Sequence, residues 1–405
     1  MDRRLILLLA VFGVWSCASQ PSTVPGAATA PKPPSERLPA FDLPLATPES
    51  QGIDSAALAK LTRSFSDRKL DVFSFTITRN GHMVYELYAD GLGSMSNFYI
   101  MSCTKSITST LVGIAIAKGL IKDEHQRILD LLPARYGRMA EAQNKKNITL
   151  KNVLAMQSGI EYTHPRNYAG PLPEGETRLI NAPDKTRYSL SLPLAGGRGL
   201  GFNYSNIDAQ LTGAVVHFTS GKGSLKFAAE NLFRPMGFQR FTWEFPDQIG
   251  VYSGGWGIRL RARDMAKFGQ LFLQRGQWNG QQLVPEDWVI KAALTDQTKT
   301  GYGYQWWIIP VDKEFAYSAI GLFGQYITVV PGHNLVVTMT AHWSQSFQDD
   351  TWKRTLRMFV LPAIKSGASL PENEQASAEL RSALSEHKVR PSSWRKVETW
   401  WRPTS

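Results

Sequence analysis

Asn80-Gly81 stands between two runs rich in β-branched and aromatic residues, Val72–Thr78 and Met83–Tyr88. An Asn-Gly pair readily takes the two positive φ angles of a tight hairpin turn, so this stretch predicts two antiparallel strands. Three more β-rich runs, Phe315–Ile320, Gln325–Val330 and Leu335–Thr340, lie far down the chain, separated by Gly and Pro-Gly turns. A closing helical pattern follows through Trp352, Leu356 and Phe359. Other apolar patterns have helical periodicity: Ala57 to Phe65 with Asp54 or Ser55 as N-cap, Ser102 to Gly119, Ile128–Leu132, Ile148–Leu154 and Ala209–Phe218. The expected fold class is α/β (α+β), a sheet with helices packed on it. Glu161 to Gly201, rich in Pro, Gly and Arg, shows little periodicity and reads as a long loop or lid, from which Tyr168 could close over a ligand.

The chain has 405 residues and a net charge of +11, but its basic residues are dispersed, which argues against a nucleic-acid partner. Asp2-Arg3-Arg4 precedes an apolar stretch, Leu5 to Trp15, that is too short to span a bilayer and is shaped like the core of a signal peptide. Val14-Trp-Ser-Cys17 resembles a bacterial lipobox, so residues 1–17 read as a lipoprotein-type signal with Cys17 as the acylated residue; an ordinary secretory signal cleaved nearby is the alternative. The Pro/Ala-rich residues 18–40 then read as a tether. The expected address is an exported, membrane-anchored bacterial lipoprotein facing the periplasm, on the outer membrane rather than the inner. Acylation of Cys17 leaves Cys103 as a lone thiol, which excludes a disulfide framework.

Ser102 and Lys105 lie three apart at the start of a helical pattern, which puts both on one face. A serine hydroxyl needs a neighbouring base, and a lysine serves if burial and the helix N-terminus keep it neutral. The same N-terminus offers backbone N–H groups to an oxyanion. Alone, the pattern also describes an N-cap serine beside a solvent-facing lysine. About a hundred residues on, Tyr204-Ser-Asn206 supplies a phenol that could exchange a proton with Ser102 if Lys105 lowered its pKa, and an amide that could hold the lysine and a substrate carbonyl. There is no Gly-x-Ser-x-Gly elbow, and the seven histidines form no His-x-x-x-His pair, so neither a metal nor a cofactor is expected. Gly197-Arg-Gly-Leu-Gly201 lacks the preceding strand and downstream acid of a dinucleotide loop.

Taken in order, Thr47-Pro-Glu-Ser-Gln-Gly-Ile-Asp54, Met101-Ser-Cys-Thr-Lys-Ser106, Ile148 to Gly159, Tyr204-Ser-Asn206, Gly254-Gly-Trp-Gly257 with Ala262-Arg-Asp264, Tyr302-Gly-Tyr-Gln-Trp-Trp307 and Gly321-Leu-Phe-Gly-Gln-Tyr326 resemble the penicillin-recognising serine hydrolases. The branch is that of class C β-lactamases, their esterase relatives and 6-aminohexanoate-dimer hydrolases. The resemblance implies a β-lactamase/transpeptidase-like domain over residues 41–365. Its α/β part would come from about 41–98 and 250–365, with an all-helical insert over about 99–249, and 366–405 would be a tail of unknown role. It also implies ester or amide hydrolysis through a Ser102 acyl-enzyme. Lys105 and Tyr204 would act as general base, Tyr204 would protonate the leaving group, and Asn206 would contact substrate. The Lys-Thr-Gly motif of class C enzymes is replaced by Ala316, Tyr317 and Ser318, which removes the cation that meets a β-lactam carboxylate. Tyr317 and Ser318 would then line the substrate wall, with the backbone N–H groups of Ser102 and Ala319 as the oxyanion hole. Cys103 reads as a packed small residue. The alternatives are a peptidoglycan-directed penicillin-binding peptidase, a weak β-lactamase, and a catalytically inactive cell-envelope binding protein. Near the C-terminus, Trp394, Trp400 and Trp401 either touch a membrane surface or pack on the body.

Overall fold

The computed structural model describes residues 22–23, 42–164, 172–195, 201–342 and 350–389. Its centre is a six-stranded antiparallel sheet of β1 (Asp71–Arg79), β2 (His82–Tyr88), β3 (Trp307–Ile308), β4 (Tyr317–Gly321), β5 (Gln325–Val330) and β6 (Leu335–His342), in the order β3-β4-β5-β6-β1-β2. Asn80 and Gly81 have φ of 51° and 79°, the pair of positive angles the hairpin requires. β1 is buried along its whole length because both faces are covered. Hydroxyls that fall on this buried sheet satisfy one another across strands: Ser74 with Thr340, Thr76 with Thr338 and Ser318 with Thr328.

One face carries α1 (Ser55–Asp67), the helical stretch 351–363, and a late helix, Glu374–Glu386, joined in one core by Leu58, Phe65, Phe75, Leu356 and Leu380. Asp54 caps α1 through the Ala56 N–H. The tail expected beyond residue 366 is therefore structural as far as residue 389: Leu380 and Ala383 are buried, and a His387 ring nitrogen bonds the Val72 carbonyl.

On the other face lie α2 (Cys103–Ala117), α3 (Glu174–Asn181), α4 (Asn206–Thr219) and α5 (Ala262–Leu273). Gly269 lets α5 sit directly on the sheet, since a Cβ there would come within 2.4 Å of Val336 Cγ1. Within the expected all-helical insert, 99–249, Phe241–Trp243 is a strand; with Asn97–Tyr99 it flanks Ile258–Arg261 in a three-stranded sheet. The stretch 161–201 is not a long loop, because α3 and Lys185–Ser191 are helices within it. Of the segment expected to be a tether, Ser22–Thr23 pair antiparallel with Thr295–Asp296. At the start of α5, fully buried Arg261 is held by Asp42 and Asp264, and Lys267 binds Asp264 at 2.9 Å. This network fixes the strand that follows the Gly254–Gly257 loop.

Candidate active site

Met101, buried, has φ 48°, a left-handed conformation that a residue with a Cβ adopts only when its surroundings hold it there. Directly after this bend α2 begins, with Ser102 at its N-cap and no capping bond from the Ser102 side chain. Lys105 is 1% exposed, so the solvent-facing lysine of the alternative reading is excluded. Its Nζ donates to Ser102 Oγ at 3.1 Å, to Asn206 Oδ1 at 2.6 Å and to the Gly255 carbonyl at 3.3 Å. Burial pushes the Lys105 pKa down to about 7, with the Glu176 carboxyl acting in the opposite sense.

Tyr204 brings its ring to 4.9 Å from Lys105 Nζ. Its phenol departs from expectation. Burial raises its pKa, and the neighbouring Ser102 hydroxyl only partly opposes the rise. Burial thus favours the protonated phenol at neutral pH. Tyr302 and Trp307 pack on the Tyr204 ring with centroids at 6.1 and 5.3 Å, and His164 meets it edge-on at 5.0 Å.

Asn206 holds the lysine as expected, but it is not presented to a ligand. It is 2% exposed, and its Nδ2 donates to Glu176 Oε1 at 2.9 Å and to the Tyr162 hydroxyl at 3.2 Å. Glu176 and Tyr162 were not legible as site residues. On α3 the inward residues are Glu176, Leu179 and Ile180, so a carboxylate occupies an apolar position and hides the helical pattern.

The wall residues are also placed differently. Ser318 is fully buried with its hydroxyl on Thr328, which in turn accepts from Trp352 Nε1, on the face away from α2. Tyr317 is 1% exposed, with its ring against Trp306 and Phe315. Backbone direction alternates along a strand. The Ala316 carbonyl accepts from Ile309 N–H, and Ser318 pairs with Trp307, so even-numbered residues of β4 face β3. Ala319 therefore turns its N–H toward β5, and Ile320 points to the edge beyond the last β3 pair. The end of β4 abuts the segment leading to Ser102: a Cβ on Gly321 would lie 2.5 Å from the Ile100 carbonyl oxygen.

Cys103 is buried, its thiol pKa raised by burial, and its Sγ lies 3.5 Å from the Gln325 carbonyl oxygen, a packing role. Cys17, Tyr168, Trp394, Trp400 and Trp401 lie outside the described residues. Among the described residues no group of three or more His, Cys, Asp or Glu side chains is placed to hold a metal ion.

An antiparallel sheet with helices on both faces, and a Ser-x-x-Lys helix start beside the end of β4, define a β-lactamase/transpeptidase-like fold. Residues 58–360 match the family described as Beta-lactamase, and the chain belongs to that family as a serine hydrolase. A 6-aminohexanoate-dimer hydrolase of Paenarthrobacter ureafaciens is 25% identical over 292 residues, 67% of this chain and 72% of the relative. Among solved structures, a Bacillus anthracis protein provisionally assigned as a 6-aminohexanoate-dimer hydrolase superposes with TM-score 0.65 at 20% identity, covering 83% of this chain and 90% of that one. A family VIII carboxylesterase superposes with TM-score 0.58 at 16% identity, covering 79% and 98%.

Proposed function

We propose that the chain hydrolyses an ester or amide bond through an acyl-enzyme on Ser102. The observation that carries this is the buried Lys105 Nζ, 3.1 Å from Ser102 Oγ, with a pKa near 7. Neutral Lys105 takes the Ser102 proton as Oγ attacks the carbonyl carbon. The oxyanion is met by the N–H of Ser102 at the α2 N-terminus and, with Ala319 turned away, by the N–H of Ile320; each such donor contributes about 10²–10³ in rate. Tyr204 gives its proton to the departing oxygen or nitrogen and recovers one from the Lys105 ammonium. Water then attacks the acyl carbon, Lys105 accepts its proton, and Ser102 Oγ leaves and is reprotonated. Lys105 thus acts as base, and Tyr204 as acid.

With Ala316, Tyr317 and Ser318 in place of Lys-Thr-Gly, the chain lacks the lysine that meets a β-lactam carboxylate in class C enzymes, which favours other esters and amides over β-lactams. The relative named as a 6-aminohexanoate-dimer hydrolase supports the reading of an amide or ester bond as the one cleaved. The lipobox-like Val14-Trp-Ser-Cys17 supports an exported, membrane-anchored setting for the reaction. Turnover of p-nitrophenyl butyrate, the 6-aminohexanoate dimer and nitrocefin tests the proposal. Hydrolysis of the first or second, lost in Ser102→Ala, is the expected result; no turnover of any would support the binding-protein alternative.

A further inference from the structure

Glu176 projects from α3 into the same interior as Lys105 and is 1% exposed. Oε1 accepts from Asn206 Nδ2 at 2.9 Å, and Oε2 accepts from the Tyr162 hydroxyl. At its other end the same amide accepts from Lys105 Nζ at 2.6 Å. An amide whose nitrogen donates to an anion becomes a better acceptor at its oxygen. Acid and base are therefore joined through one side chain.

We infer that Glu176 is a positioning residue, linked to Lys105 by the Asn206 amide, that holds one proton in common with it and so sets the pH at which Ser102 is activated. The inference rests on the reading of Lys105 as the base. A lone buried charge is costly and a pair less so. Two arrangements carry the same number of protons: an ammonium with a carboxylate, or a neutral amine with a carboxylic acid. Only the second leaves Lys105 able to accept the Ser102 proton. Burial raises the pKa of Glu176 and lowers that of Lys105, bringing the two arrangements toward equal energy.

The other groups facing this pair do not replace Glu176. From α2 comes the buried Cys103 thiol, kept protonated by burial. Tyr204 likewise keeps its proton. From α4, Asp208 accepts from the Ser158 hydroxyl and N–H. The Gly254–Gly257 loop offers the uncharged Gly255 carbonyl. Tyr188, on the neighbouring helix, bonds the Gly175 carbonyl. His164 meets the rings of Tyr162 and Tyr204 edge-on. On α3 itself, exposed Glu174 and Arg178 pair with each other.

The test is a pH titration of [13Cε]lysine-labelled protein by NMR, with the Lys105 signal identified by its loss in Lys105→Met. Glu176→Gln keeps the acceptor for Asn206 and removes the negative charge. The Lys105 midpoint is expected to fall by about one pH unit, and the acid limb of Ser102 labelling by a fluorophosphonate should move by the same amount. Tyr162→Phe, which removes a donor that stabilises the carboxylate, should move the midpoint the same way by less. A merely structural Glu176 would change intensity or stability and leave the midpoint in place. An unchanged midpoint in both variants overturns the inference. Because the titration needs no substrate, a midpoint that shifts while Ser102 never labels would support proton sharing and overturn the hydrolase reading instead.

Discussion

Lys105 Nζ lies 3.1 Å from Ser102 Oγ, in a pocket where burial brings the lysine pKa to about 7. The base works only when neutral. Below pH 7 the ammonium dominates; above it the free amine does. The kcat/KM of ester hydrolysis should therefore rise tenfold per pH unit on the acid side and level off above about pH 7. Initial rates from pH 5 to 9 check this, and a profile flat down to pH 5 would contradict the role. Lys105→Met should lower kcat by about 10²–10⁴-fold.

Tyr204 holds its proton because burial raises its pKa. Removing the hydroxyl should slow departure of the leaving group without disturbing the fold. Tyr204→Phe is expected to cut kcat by about 10²–10⁴-fold with little change in KM. The loss should be greater for alkyl esters than for p-nitrophenyl esters, whose leaving group needs no proton. Equal losses on both would contradict the acid role.

Neighbouring glycines should fail in different ways. A Cβ on Gly254 would stand 2.0 Å from the Ala209 carbonyl oxygen, backbone of α4 that cannot move aside. Gly254→Ala should therefore destabilise the fold by about 1–3 kcal/mol or more. A Cβ on Gly255 would meet Asn206 Oδ1 at 3.2 Å and Lys105 Nζ at 3.3 Å. Gly255→Ala should lower kcat while moving the melting temperature less than its neighbour does. Thermal denaturation and steady-state rates on the two variants separate the effects.

Asp264 is fully buried between Arg261 and Lys267. Asp264→Ala removes the buried carboxylate that both cations share and leaves the partly exposed Asp42 beside them. Breaking a buried pair of this kind costs about 3–5 kcal/mol, measurable by urea unfolding. A loss below 1 kcal/mol would contradict the role of Asp264 as their main counter-charge.

The features legible in the sequence are those with strong local signals. The Asn80-Gly81 hairpin, the Asp54 cap and the Ser102–Lys105 spacing each follow from a few adjacent residues. Glu176 was hidden because a carboxylate sits where a helix pattern calls for an apolar residue. The motif's position along the chain points to Ala319, whereas the edge N–H of β4 is set by the pairing of Ser318 with Trp307, and a shift of one residue reverses every direction along a strand. The helix Glu374–Glu386 is mostly polar, and its place on α1 depends on a few small or apolar contacts such as Ala376, Leu380 and Ala383.

Fluorophosphonate labelling of purified wild type and Ser102→Ala at pH 8, followed by intact-mass analysis, tests the activated serine most directly. One adduct on the wild type, absent from the variant, is the expected result. A wild type that stays unlabelled, or a variant that labels equally, would contradict a nucleophilic Ser102.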